Sequence, residues 1–139
     1  MRSFLNVRYV LISDYATVDH SGKLVIGGMY TEDIALESFP FFLNTLVFTI
    51  LIEAPEHEVR FKFEVLSPTE NALYSADGEI RLTPSMKGSR PRSIVGFQFR
   101  ATTVNEPGEY SVRLTNSATS EQIEIHRFRF IQNPAPASG

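Results

Sequence analysis

The chain has 139 residues, with 13 Lys and Arg against 16 Asp and Glu, three His and no Cys, for a net charge of −3. That length fits one ordinary domain with a core large enough to need no staple. The absence of cysteine excludes disulfides and thiolate zinc sites and fits a reducing compartment, and the mild acidity lacks the basic footprint of non-specific DNA binding.

The first apolar run, Tyr9-Val10-Leu11-Ile12, is too short for a signal core or a membrane span, and no Asn-x-Ser/Thr acceptor occurs. The expectation is a cytoplasmic protein with no membrane partner, no nucleic-acid partner and no cofactor. One domain is expected over residues 1–132. Residues 133–139, rich in Pro and Ala, read as a flexible tail.

Apolar alternation predicts eight short strands and no helix longer than a turn. Residues 4–13 form the first, with Val7, Tyr9 and Leu11 on one face. Asp19-His20-Ser21-Gly22 is a hairpin loop with Gly22 at the position of positive φ. Residues 23–31 follow, with Leu24, Ile26 and Tyr30 on one face. Gly27-Gly28 within that strand marks a bulge or the close approach of another backbone. Residues 31–40 read as a loop able to fold over the outward side of Leu43, Val47 and Leu51, the alternative there to a protein partner.

Residues 41–53 are nearly continuously apolar. Phe42, Leu46, Phe48, Ile50 and Ile52 are assigned to the core, which leaves Leu43, Val47 and Leu51 facing outward. Residues 59–66 alternate cleanly, with Val59, Phe61, Phe63 and Val65 inward and Arg60, Lys62 and Glu64 outward. Strands at 79–83 and 93–103 continue the pattern, the latter with Val95, Phe97, Phe99 and Ala101 inward. Glu106-Pro107-Gly108-Glu109 has the residue order of a type II turn. In the last strand, 122–132, Ile123 and Ile125 sit at odd positions and Phe128 and Phe130 at even ones. If all four are core, an extra residue is inserted near His126-Arg127. The sum is an antiparallel β-sandwich of about eight strands.

Asp14-Tyr15-Ala16, Gly22-Lys23-Leu24 with Ile26 and Gly27, and the closing Glu106-Pro-Gly-Glu-Tyr110 resemble the corresponding segments of a family of small bacterial and phage-associated proteins of unknown function. The resemblance implies an immunoglobulin-like sandwich. It implies no activity, cofactor or catalytic residue.

Candidate chemistry is sparse. Asp14, Asp19, His20 and Ser21 are the types of a hydrolytic group or, with Asp33, of a cation site, but adjacent turn residues diverge, and Asp19 and Ser21 are suited to capping their own turn. Glu56-His57-Glu58 reads as a solvated turn, because alternate side chains point to opposite faces. His126 sits at the expected bulge and reads as structural. Lys87, Arg90 and Arg92 form a basic loop able to hold an anion, without phosphate-loop spacing. Arg113, Arg127 and Arg129 can form a positive stripe unless Glu109, Glu121 and Glu124 neutralise it. Asp14 and His20 have no evident structural task. The function expected is therefore a non-catalytic interaction module, binding a protein partner or a second copy through Leu43, Val47 and Leu51. The alternatives are a cation- or ligand-binding sandwich using the Asp14 and Asp19 end, or a small hydrolase using His20 or His126.

Overall fold

A computed structural model of the chain describes residues 5–53, 58–80 and 92–133. Nine strands occur among them: β1 (Asn6–Val18), β2 (Leu24–Tyr30), β3 (Ile34–Leu36), β4 (Phe41–Glu53), β5 (Val59–Leu66), β6 (Ala72–Ile80), β7 (Arg92–Val104), β8 (Gly108–Asn116) and β9 (Gln122–Gln132). They form a four-stranded sheet, β2-β1-β4-β7, and a five-stranded sheet, β3-β9-β8-β5-β6. No helix among the described residues is long and apolar enough to cross a membrane.

The inner faces meet over a core of phenylalanines, because strand alternation sends every second residue to the same side. Phe48 of β4 is fully buried, with its ring 5.7 Å from Phe63, 5.0 Å from Phe99 and 5.6 Å from Phe128. Phe63 stacks on Phe97 at 4.1 Å, which ties β5 to β7 across the sandwich. Of the expected inward set, Phe61, Phe63 and Val65 are fully buried and Val59 is partly buried against the core.

Residues 31–40 do not fold over the outer face of β4. Ile34 to Leu36 form β3, which pairs in parallel with Phe130 to Gln132 of β9 and buries Ile34 and Leu36 in the core. The sandwich is thus antiparallel except at this edge. Three residues are too few for alternation to register as a strand, and the pairing partner lies almost a hundred positions away. The strand expected at 79–83 is β6, which begins at Ala72. Residues 81–83 lie outside the described residues, as do 134–139 of the expected tail. Asn133 donates its N–H to the Leu36 carbonyl at 2.7 Å.

Besides a register shift of β6 against Val65 and Leu66 of β5, strand phase departs from simple alternation at four places. In β1 a bulge between Val7 and Tyr9 turns Val7, Val10 and Ile12 inward and leaves Tyr9 and Leu11 outside. In β9 the register shift makes Ile125 the extra residue, just before His126. It lets Ile123, Ile125, Phe128 and Phe130 all reach the core, as the parity argument required. The third place is Ala101, whose φ is +52°. Across from it β4 changes phase: Phe41 and Leu43 pack inward, Phe42 is 56% exposed, and Leu46, Phe48, Ile50 and Ile52 resume the core side. The assignment of Phe42 to the core and of Leu43 and Ala101 to their faces is therefore reversed. A left-handed residue inside a strand rotates the chain about its axis, which no hydrophobic pattern records.

The fourth place is Gly28, with φ +65°. Pairs on both sides of it keep constant register, Ser13 with Met29 and Tyr15 with Gly27, so no residue is inserted. A Cβ on Gly28 would stand 2.6 Å from an Asp14 carboxylate oxygen, so the close approach is that of the Asp14 side chain and not of another backbone. Tyr30 packs against the core, whereas Leu24 and Ile26 do not, so these three do not share a face.

The corner before β8 is held by Tyr110. Its buried ring lies in the core and its hydroxyl donates to the Glu106 carbonyl at 2.7 Å, the arrangement of a tyrosine corner. Gly108 has φ +130° and already belongs to β8, so the expected type II turn does not form. Glycine is required there by that φ and because a Cβ would lie 2.7 Å from Pro68.

Candidate functional site

β1 pairs with β4 only from Asn6 to Ser13. Beyond Ser13, β1 continues with β2 alone to Val18 and Leu24, so residues 14–28 form a two-stranded arm. Its tip is built by Asp19. One Asp19 carboxylate oxygen accepts from the Ser21 N–H at 2.9 Å, the Ser21 hydroxyl at 2.7 Å and the Lys23 N–H at 2.9 Å. These bonds, led by that from the Ser21 hydroxyl, hold the Asp19 carboxyl below its usual range. Gly22, at φ +84°, closes the loop. The arm is rooted by Asp14, which accepts from the Tyr30 hydroxyl at 2.8 Å. Partial burial, reinforced by that carboxylate, pushes the Tyr30 phenol up to about 12.

The polar residues of this end are thus occupied with the backbone. The Ser21 hydroxyl is directed to Asp19 and not to His20, which is exposed at the loop tip. Asp14, left without a task by the sequence, anchors Tyr30 and fills the space above Gly28. No group of three His, Cys, Asp or Glu side chains converges among the described residues. Asp33 is exposed before β3. His126 is partly buried, which pushes its imidazole pKa down. Lys87, Arg90, Glu56 and His57 lie outside the described residues, and Arg92 enters as the first residue of β7.

The two outer faces differ in charge. On the five-stranded sheet Arg127 pairs with Glu109 and Glu124, both at 2.9 Å. Arg113 pairs with Glu70 at 3.1 Å and Arg60 with Glu79 at 3.5 Å. Arg113 and Arg127 of the expected stripe are therefore neutralised, with Glu70 in the place expected of Glu121, while Arg129 has no ion pair among the described residues. On the four-stranded sheet the outward positions are Tyr9, Leu11 and Ser13 of β1, Met29 of β2, Val47, Thr49 and Leu51 of β4, and Ile94, Gly96 and Gln98 of β7. None is charged. Tyr9 is 52% exposed, Met29 49% and Ile94 40%. Of the outward trio expected on β4, Leu43 belongs to the core. Val47 lies on this face but is almost covered, and Leu51 is half-buried.

Where the arm leaves β4 it opens a cleft of 490 Å³. One wall is Ala16, Val18 and Leu24 of the arm. The floor is Val47 and Thr49 of β4 with Gly96 of β7, and Ile94, Gln98 and Arg100 complete the far side. A Cβ on Gly96 would meet nothing within 4 Å, so the floor is bare there. Thr49 is 2% exposed and its hydroxyl has no hydrogen-bond partner. Arg100 touches the Gln98 side-chain oxygen at 3.4 Å, and Gln98 donates to Thr45 at 2.9 Å. The sequence did not single out Thr49, Gly96 or Arg100. The one visible signal was a glycine interrupting the alternation of 93–103.

These features define a two-sheet β-sandwich whose four-stranded sheet has an outer face that is uncharged at its centre and notched by a cleft bearing Asp14 and Arg100. The model of a family of unknown function (DUF6941) matches residues 8–125, and the chain belongs to that family. A search of curated proteins finds no match.

Proposed function

We propose that the chain is a non-catalytic, immunoglobulin-like interaction module that pairs with a second copy of itself through the outer face of the four-stranded sheet. The observation that carries this reading is the segregation of charge. Ion pairs run across one outer face, whereas the centre of the other presents Tyr9, Met29, Leu51 and Ile94, with its charges, Arg100 and the Arg8–Glu53 pair, confined to its two ends. Loss of charge with enrichment of Tyr and Met marks the cores of protein interfaces. An uncharged centre meets its own copy without like-charge repulsion, as an isologous two-fold interface requires. A strongly charged partner would find no counter-charge in its centre.

Four strands about 4.8 Å apart and five residues at about 3.3 Å each give the uncharged centre a footprint of roughly 300 Å². With the polar and charged positions at its ends the sheet face doubles to roughly 600 Å², the scale of the roughly 800 Å² per partner of a stable interface. The engagement of one oxygen of each of Asp14 and Asp19 and the diverted Ser21 hydroxyl speak against the cation-site and hydrolase readings.

Sedimentation velocity at micromolar concentration tests the proposal. A dimer is expected, reduced to monomer by Met29→Glu or Ile94→Glu and retained in Lys62→Glu on the opposite face. A monomer at every concentration, or a dimer indifferent to both face variants, overturns it.

A further inference from the structure

We infer that the cleft between the β1–β2 arm and β7 binds a small, free monocarboxylate with an apolar body. Its volume of 490 Å³ lies within the range of about 300–1,000 Å³ typical of small-ligand sites. Its apolar lining is Val18 and Leu24 from the arm, Val47 from β4 and Ile94 from β7, beside the polar Thr17 and Gln98. The aliphatic part takes an apolar body.

Two polar features set the ligand's ends. Arg100 is the one cationic side chain lining the cleft, is exposed, and has no carboxylate partner among the described residues. Its planar fork matches a carboxylate with two parallel hydrogen bonds. Asp14, the one anion of the lining, is already held by Tyr30. A single cation calls for a single negative charge. At the other end Thr49 lines the floor with a buried hydroxyl that has no partner. Leaving such a group unpaired is unfavourable, and a ligand oxygen above it would remove that penalty. Thr49 sits opposite Gly96 and Thr45 opposite Arg100, so the two polar ends are four residues apart along β7. At about 3.3 Å per residue that is about 13 Å between backbone positions, and both side chains stand roughly perpendicular to the sheet. An extended acid of about eight carbons with a terminal hydroxyl, shorter than this by about one hydrogen bond, spans the gap, its body lying over bare Gly96.

The experiment is an amide-resonance titration with octanoate, 8-hydroxyoctanoate and neutral octanamide. It is run on the wild-type chain and on Met29→Glu, whose substitution lies outside the cleft. The second protein separates a cleft covered by another copy from a cleft that takes no acid, so this inference and the self-pairing proposal fail independently. Saturable shifts at Val47, Thr49, Gly96 and Gln98 are expected in at least the Met29→Glu chain. 8-Hydroxyoctanoate should bind more tightly than octanoate and lose that advantage in Thr49→Val. Arg100→Gln or the change to octanamide should weaken binding at least tenfold. Gly96→Val should abolish it without lowering the melting temperature, since its side chain enters open space. No saturable shift in either protein at 10 mM ligand, or binding indifferent to Arg100→Gln, overturns the inference.

Discussion

Gly78 in β6 lies opposite Phe61 of β5, and substituting it with alanine tests how tightly the aromatic core is packed. A Cβ at this position would stand 2.6 Å from Cζ and 2.7 Å from Cε2 of Phe61, and 3.1 Å from Cζ of Phe97. Carbon atoms pack comfortably at about 3.5–4.0 Å, so the Phe61 ring has to retreat by about 1 Å. The ring has little room to do so. It is fully buried and meets Phe97 edge-on at 6.2 Å, while Phe97 is stacked on Phe63 at 4.1 Å with planes 5° apart. Overpacking of this kind costs about 1–3 kcal/mol. Alanine recovers roughly 0.5–1 kcal/mol through the smaller entropy loss of its backbone. A net destabilisation of about 1–2 kcal/mol is expected. For a domain of this size that lowers the melting temperature by several degrees, about 3–10 °C. Urea unfolding should show a lower midpoint with an unchanged slope. Combining Gly78→Ala with Phe61→Leu should recover about 1 kcal/mol relative to the sum of the single changes, because the smaller side chain vacates the contested space. A Gly78→Ala protein as stable as the wild type, or strictly additive effects, would refute the packing argument.

Two further outcomes follow from the hydrogen bonds. Tyr110→Phe should cost about 1–2 kcal/mol by leaving the Glu106 carbonyl without its phenolic donor, read as a lower urea midpoint; no change would mean that the corner is held by ring packing alone. For Tyr30, the folded pKa of about 12 lies above the ordinary value of 10.0, so its contribution to stability is complete below pH 10 and is lost as pH rises toward 12. The phenolate absorbance titration of the wild type minus that of Tyr30→Phe should have its midpoint well above 10, and a midpoint at 10 would contradict the burial and the Asp14 bond.

The sequence alone determined the class of fold. Alternation in 59–66, the continuous apolar run of 41–53 and the Asp19-to-Gly22 loop each reflect one or two local constraints: a period of two, a buried sheet, a residue of positive φ. The displaced parity of Ile123, Ile125, Phe128 and Phe130 located the β9 bulge to within a residue or two, since a core residue on the wrong phase has no other remedy. The neutralisation of Arg113 and Arg127 was legible as a possibility in the nearby glutamates.

Tertiary structure decided which face each strand shows to water. The left-handed residues Gly28 in β2 and Ala101 in β7 rotate their strands without inserting a residue, and β4 changes phase opposite Ala101, so Leu24, Ile26, Phe42 and Leu43 lie on the opposite side from that given by counting. The short β3 became a strand only because β9 offered an edge beside it. Asp14 acquired its task from Tyr30, sixteen positions away. The cleft was invisible for the same reason: Val18, Thr49, Gly96 and Arg100 are unremarkable in their own segments, and only the departure of the arm from β4 brings them around one space. Period and composition are properties of neighbours along the chain, whereas a site is set by pairing and twist between distant strands.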